Sequence, residues 1–204
     1  MSNIHVYYIR HGYSCANYIQ EKTKFLHKFV QDPLLTDFGV TCSKQASKEA
    51  PEVDLVCSSF LLRAIETAHF MFPKHKIIPI PYINELSAGL DNLPKSIQQQ
   101  KRLLLKYHGT HSFVSLPSRH PTGYSEGDLK KFKSFLNNYV KTRPELKNKK
   151  DVHVAVVTHS NWMMKFLNMI QRPKNNKIVT LENGKIKTLF KGFSIPETVK
   201  VQQC

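Results

Sequence analysis

The stretch YYIRHGYSCAN (7–17) runs two tyrosines and an isoleucine, all strand-favouring residues, into Arg10, His11 and Gly12. A loop that needed only solubility could use any polar residues. A guanidinium, an imidazole and a glycine together suit an anion held close to the backbone. Three more stretches end in comparable groups. Ser58, Ser59 and Arg63 follow DLVCS (54–58), Glu85 follows KIIPIPYI (76–83), and Thr158 and His159 close VHVAVVT (152–158). Taken singly, an Arg or His at a strand end is an ordinary surface or capping residue. Four strand ends that deliver Arg-His, Arg, Glu and His to one rim of a sheet are harder to dismiss.

The chemistry that fits these groups is phosphoryl transfer. A phosphoryl group spreads charge over three equatorial oxygens, and its transfer depends mostly on positioning and electrostatics. Arg10 and Arg63 can each fork two N–H donors onto those oxygens. His159 supplies a third contact, and the helix that begins near Ser160 adds backbone N–H groups. His11 is then left as the nucleophile. Its attacking nitrogen must be unprotonated, which nearby arginines favour, and its other nitrogen should donate to a carbonyl. Gly12 would let the backbone approach without a Cβ clash. Glu85 is the carboxyl placed to protonate the leaving alkoxide and then to activate water. Guanidinium and imidazole groups supply the positive charge, so no metal or other cofactor is expected.

These residues must be set by alternating elements. IHVYYI (4–9), DLVCS (54–58), an extended KIIPIPYI (76–83) and VHVAVVT (152–158) read as strands. A helix capped by Thr36 spans 36–50 and stops near Pro51. Leu61, Ile65, Ala68 and Phe72 mark a second helix that ends at Pro73. Ser125 with Asp128 resembles a capping pair for a third, faced by Leu129, Phe132, Leu136 and Tyr139. Met163, Phe166, Leu167 and Ile170 mark a fourth, and KIVTLENGKIKTLF (177–190) is a hairpin around Asn183-Gly184. The pattern predicts an α/β fold: a three-layer α/β/α sandwich on a mostly parallel central sheet, with ligands outside the carboxyl ends of the strands. One domain over 1–204 is expected, with the poorly periodic region 86–123 inserted over the active-site end.

The chain has 204 residues, 41% hydrophobic, enough for a sizeable core. Thirty Lys and Arg against fifteen Asp and Glu give a formal charge of +15, which favours anionic partners or a lysine-rich solvated surface. The basic residues are scattered, with no stacking-aromatic pattern, which argues against nucleic acid. No apolar run is long enough to span a bilayer, and the first residues lack a signal-peptide plan. Cys15, Cys42, Cys57 and Cys204 form no C-x-x-C pair and no zinc spacing. They read as free thiols, with a cytoplasmic location.

IRHGYSCAN resembles the Arg-His-Gly signature of the histidine phosphatase superfamily, the phosphoglycerate-mutase-like family. PLLTDFG (33–39) resembles that family's Leu-Thr-x-x-Gly helix start, and SSFLLRAIETA (58–68) its arginine-bearing helix. INELSAG (83–89) resembles the acid-bearing stretch, PTGYSEGD (121–128) a Pro-x-Gly-Glu-Ser element, and VVTHSNW (156–162) the second histidine strand. The set spans nearly the whole chain in the family's order. The resemblance implies His11 as the phosphorylated histidine, Arg10, Arg63 and His159 as the phosphate pocket, Glu85 as the proton donor and Asn17 as a phosphate contact. Thr23 is a further candidate by spacing alone.

Three departures narrow the branch. His159 is followed by Ser160 where the family has glycine, and not by the aspartate of the acid phosphatase and phytase branch. Tyr124 replaces the glutamate of Gly-Glu-Ser. LSAGLDN follows Glu85 in place of the mutase Arg-x-Tyr-Gly-x-Leu. The expected activity is therefore a branch 1 phosphatase acting on a phosphorylated small molecule or a phosphoprotein. The alternatives are a phosphoglycerate-mutase-type phosphotransferase and a catalytically weak phospho-ligand-binding protein. Nothing in the sequence excludes a homodimer. Within the insertion, Lys95, Lys101, Arg102 and Lys106 have two readings. They contact the anionic remainder of the substrate, or they belong to an amphipathic helix docked through Ile97, Leu104 and Leu105.

Overall fold

The computed structural model describes residues 2–109, 127–199 and 204. Among them, six strands form one sheet in the order β3-β2-β4-β1-β5-β6. They are β1 (Asn3–Arg10), β2 (Leu55–Ser58), β3 (Ile77–Pro79), β4 (Asp151–Thr158), β5 (Ile178–Glu182) and β6 (Lys185–Phe190). The first four are mutually parallel; β5 and β6 close one side as an antiparallel hairpin turned at Asn183-Gly184, both at positive φ.

Strand alternation sorts the core. On one face, Val152, Val154 and Val156 meet Phe132, Leu136 and Val140 of α5 (Leu129–Thr142), Leu146 of α6 (Pro144–Lys147) and Trp162 of α7 (Ser160–Phe166). On the other, Ala155 and Val157 meet Ala46 of α2 (Asp37–Ala46) and Ala64, Ala68 and Met71 of α3 (Leu62–Met71). Helices on both faces of a largely parallel sheet make the expected three-layer α/β/α sandwich. Among the described residues, α6 and two further helices fall outside the four read from periodic faces, the second of the two being the amphipathic alternative for the insertion. Cys15–Thr23 (α1) has few apolar residues and is started by a capping box between Ser14 and Asn17, while Ile97–His108 (α4) is started by one between Ser96 and Gln99.

Three expectations need correction. Ile170 was expected on a helical core face, but α7 ends at Phe166 and Asn168 turns the chain at positive φ, leaving Ile170 97% exposed. The extended stretch 76–83 is strand only over Ile77–Pro79; Pro81 starts a 3-10 turn. Third, Cys15 and Cys204 are joined as a disulfide, Cα atoms 5.4 Å apart, while Cys42 and Cys57 remain buried thiols. A pair 189 residues apart leaves no spacing motif to read. For this pair the free-thiol argument for a reducing compartment falls away. No helix among the described residues is long and apolar enough to cross a membrane. Ser125 and Tyr124 lie outside the described residues; Asp128 is the N-cap of α5, accepting from Lys131 N at 3.0 Å.

The loop that carries His11 is clamped against α2. Thr36, the N-cap of α2, donates its N–H and hydroxyl to Tyr13 O at 3.0 and 3.1 Å, and accepts from Gly39 N at 3.0 Å. A Cβ on Gly39 would lie 2.1 Å from Tyr13 O, and one on Gly12 would lie 2.7 Å from Ser43 Oγ. Both glycines therefore serve this close packing of loop on helix; at Gly12 the tight neighbour is α2 itself. Gly39→Ala is expected to lower the unfolding free energy by about 1–3 kcal/mol, measured by urea denaturation. A variant as stable as the parent would show that the contact yields easily.

Candidate active site

Parallel register lines up the strand ends. Arg10 pairs with Thr158, Ser58 with Pro79, and Ser58 with Val157 beside it. Beyond these ends opens a cleft of about 410 Å³ whose walls include Arg10, His11, Asn17, Arg63 and Glu85. His159 is fully buried behind it, its ring centroid 5.0 Å from that of His11. Five predicted residues thus meet in one cleft, and the sixth lies behind it with its ring tilted 55° to that of His11. Thr23 does not join them: its hydroxyl donates to Ile19 O at 2.8 Å within α1.

His11 is held from all sides. Its backbone N–H donates to Thr158 O at 2.9 Å, and its carbonyl accepts from Asn175 Nδ2 at 2.9 Å. The next N–H, that of Gly12, donates to Thr67 Oγ1 at 2.8 Å, and that hydroxyl donates to Arg63 O at 2.6 Å. The His11 ring is fixed by Nδ1, 2.7 Å from Gly12 O. A carbonyl can only accept, so Nδ1 carries the proton and Nε2 is bare. Burial, then Arg63 and Arg10, holds this imidazole well below its ordinary pKa of 6.5.

His159 adopts the opposite tautomer, and a chain of bonds dictates it. Asn84 Oδ1 accepts from Phe60 N at 3.1 Å, which identifies it as the oxygen. Ser59 Oγ, 2.9 Å from that oxygen, must donate to it. Only lone pairs of Ser59 then face Leu61 N at 3.2 Å and His159 Nε2 at 2.8 Å, so Nε2 is the donor. Nδ1 of His159 is buried with no partner among the described residues. Burial, then Arg63, lowers its pKa well below 6.5 as well. Once protonated, Nδ1 can donate to an anion.

The arginines stay charged although nearly out of water. Burial, then repulsion by Arg172, lowers Arg10 to about 10. Its NH1 donates to Pro173 O at 2.6 Å, and its Nε has no partner among the described residues. Arg63 is lowered by burial and supported by Glu85, Asp91 and Asp32. It donates from NH1 to Asp91 O at 2.6 Å and from NH2 to Asn92 Oδ1 at 2.7 Å. Glu85, also buried, accepts from Leu86 N through Oε1 at 2.9 Å. Asn17 accepts from Ser14 N at 3.1 Å through Oδ1, which turns its amide nitrogen away from the cap.

Sequence reasoning missed Arg172, Asn92, Asn175 and the wall formed by Lys24, His27 and Lys28. Arg172 donates to Ser160 Oγ at 3.1 Å and Asn161 Oδ1 at 3.3 Å, and it lines the cleft with Arg10. It lies in RPKNN (172–176), a turn whose composition signals only a loop. The insertion behaves as the amphipathic helix. Ile97 and Leu104 of α4 pack on Leu34, Leu62 and Ile65, although Leu105 is 46% exposed and does not dock. Lys101, Arg102 and Lys106 are exposed on α4, Lys95 Nζ donates to Gln31 O, and none of the four is on the cleft wall among the described residues. Ser87, Ala88, Asp91 and Asn92, from the start of that region, do line the cleft. Its residues 110–123 lie outside the described residues.

The model of the histidine phosphatase superfamily (branch 1) matches residues 6–188. No curated protein matches significantly. Solved structures share the fold at low identity. The ecdysone phosphate phosphatase from Bombix mori, solved with tungstate, is 14% identical with a TM-score of 0.58 and 97% of each chain covered. A mycobacterial glucosyl-3-phosphoglycerate phosphatase is 15% identical with a TM-score of 0.55, covering 93% of this chain and 99% of that one. A phosphoglycerate mutase from Bacillus anthracis is 18% identical with a TM-score of 0.52, covering 92% of each.

The opposed tautomers are directly measurable. In ¹⁵N-resolved NMR of the histidine side chains at pH 6.5, His11 should be neutral and protonated on Nδ1, and His159 neutral and protonated on Nε2. An imidazolium at either position, or the same tautomer at both, would contradict the hydrogen-bond geometry.

Proposed function

From the premise that the chain belongs to the histidine phosphatase superfamily, branch 1, we propose that it is a phosphatase that hydrolyses a phosphomonoester through a phosphohistidine on His11. One observation carries the reading: Nδ1 of His11 is spent on Gly12 O, which leaves a bare Nε2 in a cleft with Arg10, Arg63 and Glu85. In the first step the Nε2 lone pair forms a bond to phosphorus. The bond from phosphorus to the ester oxygen breaks, and Glu85 gives its proton to the departing alkoxide. In the second step Glu85, now a carboxylate, takes a proton from water. The water oxygen bonds to phosphorus, and the P–N bond breaks back to a neutral His11 with inorganic phosphate released.

Arg10, Arg63, the Asn17 amide and a protonated Nδ1 of His159 hold the equatorial oxygens. Each donor is positioned before charge develops, so little reorganisation is needed at the transition state. Arg172 adds positive charge beside Arg10. The scheme needs no metal, because side-chain cations supply the charge. The site lies within a single phosphatase domain on this reading, and a phosphorylated small molecule is the substrate class.

Three measurements test this. Labelled substrate quenched without acid should leave acid-labile, base-stable phosphate on the protein, and His11→Ala should abolish the label. Label that survives in the variant would overturn the assignment. Activity should persist in excess EDTA; loss with rescue by a divalent metal would show a different mechanism. Glu85→Gln should slow an alkyl phosphate by about 10²–10⁴-fold, and 4-nitrophenyl phosphate much less, because nitrophenolate leaves without a proton. An equal loss on both would mean that Glu85 does not protonate the leaving group.

A further inference from the structure

The cleft extends past the phosphoryl end. Part of its wall is the turn that leaves α1, carrying Lys24, His27 and Lys28, none of which the proposed reaction uses. Lys24 caps α1 at φ 63° and ψ −38°, an uncommon conformation for a residue with a Cβ. This bend leads into the 3-10 turn Leu26–Phe29, whose Lys28 stem lies against Gly89. Nδ1 of His27 is shielded from water and has no hydrogen-bond partner among the described residues. Asp91 is the acidic group on this side, and it acts on Arg63 as well as on His27 and Lys28. The cleft wall carries Arg10, Arg63, Arg172, Lys24 and Lys28 against the carboxylates of Glu85 and Asp91, which leaves it net positive.

We propose that the substrate's leaving group carries a second anionic group, a carboxylate or a second phosphate, and that Lys24, His27 and Lys28 bind it. The inference rests on the phosphatase reading, since the cleavable phosphate seated at His11 directs the rest of the molecule along the cleft. It also moves the grip on the anionic remainder away from α4, whose basic residues face solvent. The two lysines supply the charge, and the His27 ring lines the same wall.

The test separates binding from turnover. The His11→Ala protein is titrated calorimetrically with two matched pairs that differ in the second anion and in reach. One pair is glycerol 1-phosphate and 3-phosphoglycerate; the other is glucose 6-phosphate and glucose 1,6-bisphosphate. At least one doubly anionic probe should bind about tenfold tighter than its partner, the size expected for hydrogen bonds to charged groups. Adding Lys24→Gln and Lys28→Gln should bring that ratio close to one, and Lys28→Arg alone should keep it. A pair in which only the carboxylate or only the second phosphate gains affinity identifies the class. Equal affinity within both pairs, or a preference that survives the double substitution, overturns the proposal. Thermal melts of each variant report folding independently. If the parent protein hydrolyses 4-nitrophenyl phosphate but shows no preference, the second site falls and the phosphatase reading stands. If the preference depends on the lysines but no phosphate ester is hydrolysed, the reverse holds.

Discussion

Two guanidinium groups and two imidazoles share one end of the sheet with almost no water between them and the core. That crowding of positive charge is the constraint the rest of the structure answers. Bringing a charge out of water is costly unless partners compensate it. The fold responds in two ways. It keeps both imidazoles neutral, through burial and through the arginines themselves. It also gives each arginine a backbone carbonyl, Pro173 O for Arg10 and Asp91 O for Arg63, with Glu85 adding favourable charge to both. The same repulsion that would destabilise a protonated His11 keeps its Nε2 unprotonated. Stability and chemistry draw on one electrostatic arrangement.

The frame that tolerates this is the parallel register of β1, β2 and β4. Arg10 and His11 leave β1 directly beside Thr158 and His159 leaving β4, so the two histidines need no long loop to meet. Arg63 comes from the first turn of α3, and its carbonyl is tied through Thr67 to the Gly12 N–H. A shift of α3 along the sheet would therefore move Arg63 and the loop of His11 together. Asp32 fastens the far side. Its buried carboxylate accepts from Leu62 N at 2.7 Å, Lys95 N at 2.8 Å and Gln100 Nε2 at 2.7 Å. That ties the start of α3 to the start of α4 in a region where no sheet hydrogen bonds reach.

What was legible in the sequence followed from local rules. Strand-end positions, periodic helix faces and the Asn-Gly turn each have a signal within a few residues, and they placed Arg10, His11, Arg63, Glu85 and His159 on one rim. Asn17 came from the resemblance, and the structure gives it a local reason as the capping partner of Ser14. What was not legible is long-range. Arg172 reaches the site through a turn that looks like any loop, and Asn175 reaches it by donating to the His11 carbonyl 164 positions away. The Cys15–Cys204 link has the same character. The insertion misled in a subtler way: its lysines have the right charge, but the apolar stripe Ile97–Leu104 faces the body and turns that charge outward. The glycine of the Arg-His-Gly stretch reads as room for a ligand, yet a Cβ there would first meet Ser43 of α2.

The formal +15 of the chain divides accordingly. Cations on α4, α5 and the hairpin are solvated, where a Debye length of about 8 Å at physiological salt limits their reach. Those in the cleft sit against low-dielectric walls, where field lines are focused and screening is weaker. The cleft cations therefore shape binding more than the more numerous surface ones. On the proposed phosphatase reading, a dianionic phosphoryl group entering among Arg10, Arg63 and Arg172 would also change the balance that keeps His159 neutral. The new negative charge favours protonation of Nδ1, the atom left without a partner in the protein. Binding would then recruit one more donor to the phosphoryl oxygens, while His11 keeps its proton on the Gly12 side and its lone pair on the other.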